Sequence, residues 1–277
     1  MKRRLNLTSG VFGGPDQYSV CSKKSKYIQW VTDFSATETV YIDLDIQQAF
    51  SDPVSEVKYG WLLESKSIIP SISQIVEDMK ADPEKYFSVF KYVFTYNKDL
   101  LKLDSRFKWV PAQGVWIRQP KVYDKSKLVS MIASSKQICE GHRIRMQWIE
   151  KLRDKVDLYG HGFQSIEYKE QGLCDYMFSV AIENGQYESY FTEKILDCFA
   201  TGTIPVYLGA PDIGDYFNKD GIITLSEGVE LSAEMYYSKM DAIIDNLERV
   251  KKMEVLEDFI WENYLQHDIV QQSWQLR

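Results

Sequence analysis

"SYFTEKILDCFATGTIPVYLG", Ser189 to Gly209, reads as a loop, a helix and a buried strand in succession. Thr192 is a good N-cap and Gly202 a helix stop, and the apolar run that Gly209 closes has the length of a strand covered on both faces. The stretch before it, "YMFSVAIEN" from Tyr176 to Asn184, is a second such run. Strand, helix and strand in this order make a parallel pair with a helical crossover, the building unit of α/β folds. Glu193 and Lys194 then fall in the first helical turn, at the carboxyl end of a strand.

That placement has chemical meaning. The free backbone N–H groups of a helix start, with a dipole worth roughly +0.5 charge, form a seat for a diphosphate, and Lys194 adds a full positive charge. Glu193 has to face something else, because a carboxylate about 6 Å from a phosphate costs roughly 3 kcal/mol at an effective dielectric of about 20. A ribose diol suits it, since one carboxylate can accept from both hydroxyls. Tyr190 can pack on the base or bond a phosphate oxygen. The ligand so drawn is a nucleotide with a diphosphate. The plainer alternative is a capped helix, in which Thr192 and Glu193 stabilise the start and Lys194 is solvated. A second basic element weighs against that alternative. Arg143 and Arg145, near the start of "GHRIRMQWIEKL", can project toward the same mouth, where an arginine fork grips diphosphate by charge-assisted bonds.

The alternation of short apolar runs and helical stretches continues along the whole chain, which predicts an α/β fold. Strands are expected at "RLNLTSG", "YIQWV", "ETVYIDLDI", "VKYGWLLES", "KYVFTYN" and "FKWVP", with helices at "IPSISQIVEDMKA" and "PEKYFSVF". Two prolines and a glycine in "PAQGVWIRQPKVYDKS", residues 111–126, break the pattern and mark a junction. The first domain is therefore placed at 1–120 and the second at 121–277. In the second, "KLVSMIAS", "VDLYGHG", "YMFSVAIEN", "TIPVYLG" and "GIITLS" read as strands and "GHRIRMQWIEKLRDK" as a helix. From Ser232 onward the chain reads as helices, and the aromatic stripe "FIWENY" as a docking face. Two such units joined by a linker leave a cleft between them, with ligands expected at strand carboxyl ends.

A net charge of -7 argues against a nucleic-acid binder, because phosphate backbones are held by accumulated Lys and Arg. Cys21, Cys139, Cys174 and Cys198 are far apart, with no metal-type spacing, and read as reduced thiols. The basic start lacks an apolar run after it, and no stretch is long and apolar enough to span a bilayer. A cytoplasmic location is expected, and peripheral attachment to a membrane stays open.

The residues already singled out match a known pattern. "FSVAIENGQYESYFTEKILDCFATGTIPVYLGAPDIGDYFN" resembles the core of the α-1,3-fucosyltransferases, glycosyltransferase family ten, with their acid-Asn pair, Tyr-x-Thr-Glu-Lys and Gly-x-x-Pro-hydrophobic-Tyr-x-Gly. "KLVSMIASSKQICEGHRIRMQWIEKLRDKVDLYGHG" is similar to the family's preceding strand, arginine-bearing helix and second strand, so that the likeness covers residues 127 to 225. The resemblance implies a GT-B fold, two Rossmann-like α/β/α domains facing a cleft. The first would lie on the acceptor side and the second would hold GDP-fucose. It implies that Arg145 and Lys194 neutralise the diphosphate, that Glu193 takes the ribose, that Tyr190 contacts the nucleotide, and that Asn184 and Tyr159 line the pocket. No cofactor is required by this reading; the partners are a nucleotide-sugar donor and a glycan acceptor. Leu208 departs from the family's usual aromatic before the last glycine. The amino-terminal part is shorter and hard to align, and the repeats and basic tail of some bacterial members are not found here, so acceptor choice stays open.

In that family transfer inverts the anomeric centre, which calls for a base on the acceptor hydroxyl and cations on the leaving diphosphate. Glu64 is the candidate base: in "YGWLLESKSIIP" it ends an apolar strand just before a helix. A surface or turn carboxylate is the alternative. Asp43 and Asp45, read on one face of a strand, resemble the D-x-D metal site of the other major glycosyltransferase fold, but the family likeness favours a metal-independent design. "SGVFGGPD" reads as a turn, and His142, His161 and His267 lack ligand spacing. Two further readings remain: a transferase using another nucleotide sugar, because phosphate and ribose contacts do not identify the hexose, and a binding protein that has kept the fold without turnover.

Overall fold

The computed structural model describes residues 2–8 and 23–266. The loop "SGVFGGPD", Cys21, His267 and the end of the terminal helical stretch lie outside the described residues. The chain divides into two units, one formed by Met1–Gln113 with Glu254–Arg277 and the other by Gly114–Met253. The boundary at Gln113 falls inside the stretch that breaks the sequence pattern.

In the first unit β1 (Arg3–Leu7), β2 (Ile28–Val31), β3 (Glu38–Ile42), β4 (Val57–Leu62), β5 (Tyr92–Thr95) and β6 (Phe107–Trp109) form one parallel sheet in the order β2-β1-β3-β4-β5-β6. Its helices are α1 (Ile72–Ala81), α2 (Pro83–Phe87) and α3 (Lys98–Leu103). Strand periodicity sorts the core into two faces. Tyr59 and Trp61 join Leu5, Val40 and Phe94 on one side, while Tyr41, Leu62 and Val93 pack with Ile72, Ile75 and Met79 of α1 on the other.

Sequence reading carries a strand through Ile46, but β3 stops at Ile42 and a 3-10 helix, Asp43–Ser51, follows. Asp43 turns the chain with φ +50°, and its buried carboxylate accepts from the Leu63 N–H at 2.7 Å and the Glu64 N–H at 3.1 Å. Capping two amides of a neighbouring chain segment is thus what Asp43 does, and it does not share a strand face with Asp45. No three His, Cys, Asp or Glu side chains are gathered to hold a metal among the described residues.

The second unit runs β7 (Lys127–Ile132), α4 (Glu140–Leu152), β8 (Asp157–Tyr159), β9 (Tyr176–Ile182), α5 (Glu193–Thr201), β10 (Ile204–Leu208), β11 (Ile223–Thr224), α6 (Ala233–Tyr237) and α7 (Met240–Lys251). Its sheet is also parallel, ordered β11-β10-β9-β7-β8, so that the chain reverses direction across the sheet between β7 and β9. β9 is buried at every position, as the continuous apolar run requires of a central strand.

Sequence reading assigns 121–277 to the second domain; the structure gives the part from Glu254 onward to the first. There α8 (Leu256–Ile260) and a π-helical turn, Trp261–Leu265, insert Leu256, Ile260 and Leu265 into the core beside Leu5 and Trp61. Trp30 donates its indole N–H to Glu257 at 2.8 Å, and the Tyr264 hydroxyl donates to the Trp109 carbonyl at 2.6 Å. The amphipathic pattern of these residues is plain in the sequence, but an apolar stripe does not say which sheet it covers.

Candidate functional site

A cavity of about 270 Å³ opens in the second unit at the carboxyl ends of β7, β8 and β9. It lies where the strand order reverses, the place where open parallel sheets splay their loops apart and leave room for a ligand. Arg145, Lys169, Lys194, Glu193 and Asp197 all reach its wall. A larger hollow of about 560 Å³ in the same unit is lined mainly by apolar groups such as Leu128, Trp148 and Leu152. Lys151, Lys155 and Glu227 also line it, but Lys151 and Glu227 are exposed, whereas Lys169 and Lys194 of the first cavity are largely buried, which marks the first cavity as the place for an ionic ligand.

The wall is built outward from Glu183, which follows β9 and is fully buried. Its carboxylate accepts from the Thr192 N–H at 2.9 Å and the Thr192 hydroxyl at 2.7 Å. The N-cap of α5 is thereby fixed to the end of the central strand. Burial pushes the Glu183 carboxyl up, and the nearby Lys194 ammonium partly offsets this. Lys194 Nζ lies 3.0 Å from Thr192 Oγ1 and 3.5 Å from both Glu183 Oε2 and Glu193 Oε1. Glu193 in turn lies 3.5 Å from Lys169 Nζ, and Lys169 is 2.8 Å from Asp197 Oδ2. Five side chains thus alternate acid and base along the wall: Asp197, Lys169, Glu193, Lys194, Glu183.

Burial raises the Glu193 carboxyl, but the two ammonium groups outweigh it and hold the group well below the usual carboxylate range. Burial works against Lys169 as well, yet Asp197 and Glu193 keep it above the ordinary lysine range. Burial pushes the Asp197 carboxyl up, with Lys169 pulling the other way. Its second oxygen accepts the Trp116 N–H at 2.7 Å.

Arg145 is buried on α4, while Arg143 on the same helix is exposed. Helical spacing explains the difference, since residues two apart face away from each other. Arg145 Nη2 donates to Asn184 Oδ1 at 2.8 Å and to the Ile182 carbonyl at 3.3 Å. Desolvation lowers its pKa, with Glu183 acting in opposition. The helix start can come this close only because residue 141 is glycine: a Cβ there would stand 2.3 Å from the Asn184 carbonyl oxygen.

Of the residues read from sequence, Arg145, Glu193 and Lys194 line the cavity together. Asn184 sits behind them, oriented by Arg145. Tyr159 and Tyr190 do not line it. The Tyr159 hydroxyl is engaged with that of Tyr176 at 2.6 Å, which in turn donates to Asp157, and Tyr190 is 1% exposed. Glu64 belongs to the first unit, half-buried at the end of β4. Its Oε1 accepts from the Ser65 N–H at 2.7 Å, its own N–H is held by Asp43, and its carbonyl accepts from the Tyr96 hydroxyl at 3.0 Å. Lys169, Asp197 and Glu183 are the site residues that sequence reasoning missed. Two acids four apart, Glu193 and Asp197, share one helix face and demand a cation, which is a readable signal. Nothing local points to Lys169 as its source.

Two parallel-sheet α/β units, the second with this charged cavity at its strand ends, have the architecture of the GT-B type. The sequence profile described as glycosyltransferase family 10 (fucosyltransferase), C-terminal part, matches residues 122–270. The chain belongs to this family. Among its relatives, an alpha-(1,3)-fucosyltransferase of Helicobacter pylori is 31% identical over 75 residues, 27% of this chain and 16% of that protein. A GDP-fucose protein O-fucosyltransferase 3 of Xenopus laevis is 30% identical over 135 residues, 42% of this chain and 28% of that protein. The chain thus aligns with less than a third of the length of either. A crystal structure of an alpha1,3-fucosyltransferase superposes with a TM-score of 0.50 at 15% identity, covering 89% of this chain and 80% of that one, which is a likeness of fold.

Proposed function

We propose that this glycosyltransferase transfers fucose from GDP-fucose to a hydroxyl of a glycan, with inversion at the anomeric carbon. The observation that carries the reading is the convergence of Arg145, Lys194 and the amide end of α5 on one cavity wall, with Glu193 beside them. The Xenopus relative is named for GDP-fucose, which supports the donor. In the reaction the acceptor oxygen forms a bond to the anomeric carbon as the bond from that carbon to the diphosphate oxygen breaks. Charge grows on the leaving diphosphate, where Arg145, Lys194 and the α5 amides stabilise it. The hydroxyl proton is taken by a general base, the role for which Glu64 is the sequence's candidate. Side chains and amides supply the positive charge, so this reading requires no metal. Lys194 carries three N–H donors; Thr192 Oγ1 at 3.0 Å and Glu193 Oε1 at 3.5 Å take two, which leaves one for a phosphate oxygen.

GDP is expected to raise the melting temperature of the protein, and Arg145→Ala and Lys194→Ala to remove most of that shift. Each variant is compared with its own unliganded form, since removing Lys194 also strips a buried Glu183 of its cation. No shift with any nucleotide would sink the proposal. Glu64→Gln is expected to keep the GDP shift and to lose roughly 10²–10⁴-fold in turnover. Retained turnover would remove Glu64 from the mechanism. A panel of nucleotide sugars, with product masses read, decides between fucose and another donor. A panel of glycan and protein acceptors decides the acceptor, because the relatives' names differ on that point.

A further inference from the structure

We propose that Lys169 is a positioning residue, holding the Glu193 carboxylate in the orientation that meets the ribose hydroxyls of a bound nucleoside diphosphate. The inference rests on the functional reading above, and in particular on Glu193 as the ribose partner. Lys169 stands on the short 3-10 turn Lys169–Gly172 and reaches the cavity wall from outside α5. Its ammonium is anchored by Asp197, 2.8 Å away, whose side chain is 1% exposed and is itself held by the Trp116 N–H. The Trp116 ring lies 5.7 Å from the same ammonium. Lys169 is thus a fixed charge on a rigid mount.

Lys169 and Lys194 approach the same oxygen of Glu193, Oε1, each at 3.5 Å. A carboxylate held at one oxygen from two sides has its remaining rotation restricted, and Oε2 would be the oxygen that meets a diol. Without Lys169, Lys194 would be the one ammonium left beside Glu193, and the carboxylate would turn toward that single cation. The Lys169 charge also offsets the repulsion between Glu193 and a neighbouring diphosphate. Pre-setting a charged acceptor in this way is what gives a hydroxyl contact its discriminating power.

The test compares the affinity of the full chain for GDP and for 2′-deoxy-GDP, which lacks one of the two hydroxyls. Both ligands carry the same base and diphosphate, so a general loosening of the site weakens them equally and leaves their ratio unmoved. The wild type is expected to prefer GDP by roughly tenfold or more. Glu193→Ala, which removes the acceptor oxygens, should bring the ratio near one, and Lys169→Met should bring it to about twofold or less, with Lys169→Arg restoring most of it. Lys169→Met leaves Asp197 buried and unpaired. The double variant Lys169→Met/Asp197→Asn removes both charges and retains an oxygen for the Trp116 N–H, so it decides the matter should the single variant not fold. A folded Lys169 variant that discriminates like the wild type overturns the inference and leaves the functional reading intact. A wild type without preference, or one whose preference survives Glu193→Ala, overturns the ribose assignment and this inference with it.

Discussion

A methyl group on Gly209 would lie 2.1 Å from the Tyr207 hydroxyl and 2.6 Å from Glu183 Cγ, distances that no adjustment of a flexible chain end can absorb. Gly209→Ala is therefore expected to cost about 1–3 kcal/mol in denaturant unfolding and to weaken GDP binding, because the displaced Glu183 carries the α5 cap. Wild-type values on both counts would show that the contact is loose. Asp43 gives a pH signature. Burial pushes its carboxyl up to about 6 from an ordinary 3.8, against the two amides that favour its ionised form. Between these values the folded state holds a proton that the unfolded chain has released. Its contribution to stability is full below about pH 4 and is lost as the pH rises through about 6. Asp43→Asn should flatten that part of the urea-unfolding profile by up to about 3 kcal/mol; an unchanged slope would rule Asp43 out as its source.

At the scale of elements, α5 makes the site through its first turn. Thr192 serves three groups at once: its hydroxyl accepts from the Lys194 amide and ammonium, and donates to Glu183. Thr192→Ala is expected to lower stability by about 1–2 kcal/mol and GDP affinity along with it, while Thr192→Ser keeps both near wild type. Equal behaviour of the two variants, measured by thermal melts with and without GDP, would count against this role. Most elements follow from apolar periodicity, as in β9 and α5. The 3-10 helix after β3 does not, because "ETVYIDLDI" alternates like a strand to its end, and only the amides of Leu63 and Glu64 call Asp43 into a turn.

Over the whole molecule, the first unit depends on the chain returning to it. Removing residues from Glu254 onward takes Leu256, Ile260 and Leu265 out of its core, a loss on the order of 5–9 kcal/mol, comparable to the full stability of a domain. The truncated chain is expected to lose the first unit's unfolding transition and retain the second's, with GDP still shifting the latter. A single unchanged transition in calorimetry would refute this dependence.

The sequence by itself determined the α/β class, the family and the cluster of Arg145, Glu193 and Lys194, because hydrophobic period, caps and motif spacing are local and each is written within one βαβ unit. Only the tertiary structure decided the rest. It brought Lys169 to Asp197 across 28 positions, spent the Tyr159 hydroxyl on Tyr176, and sent the terminal helices back to the first sheet. The physical reason is common to all three: a side chain's partner is set by which surfaces fold against one another, and burial then makes pairing compulsory for a charge or a hydroxyl wherever it stands in the chain.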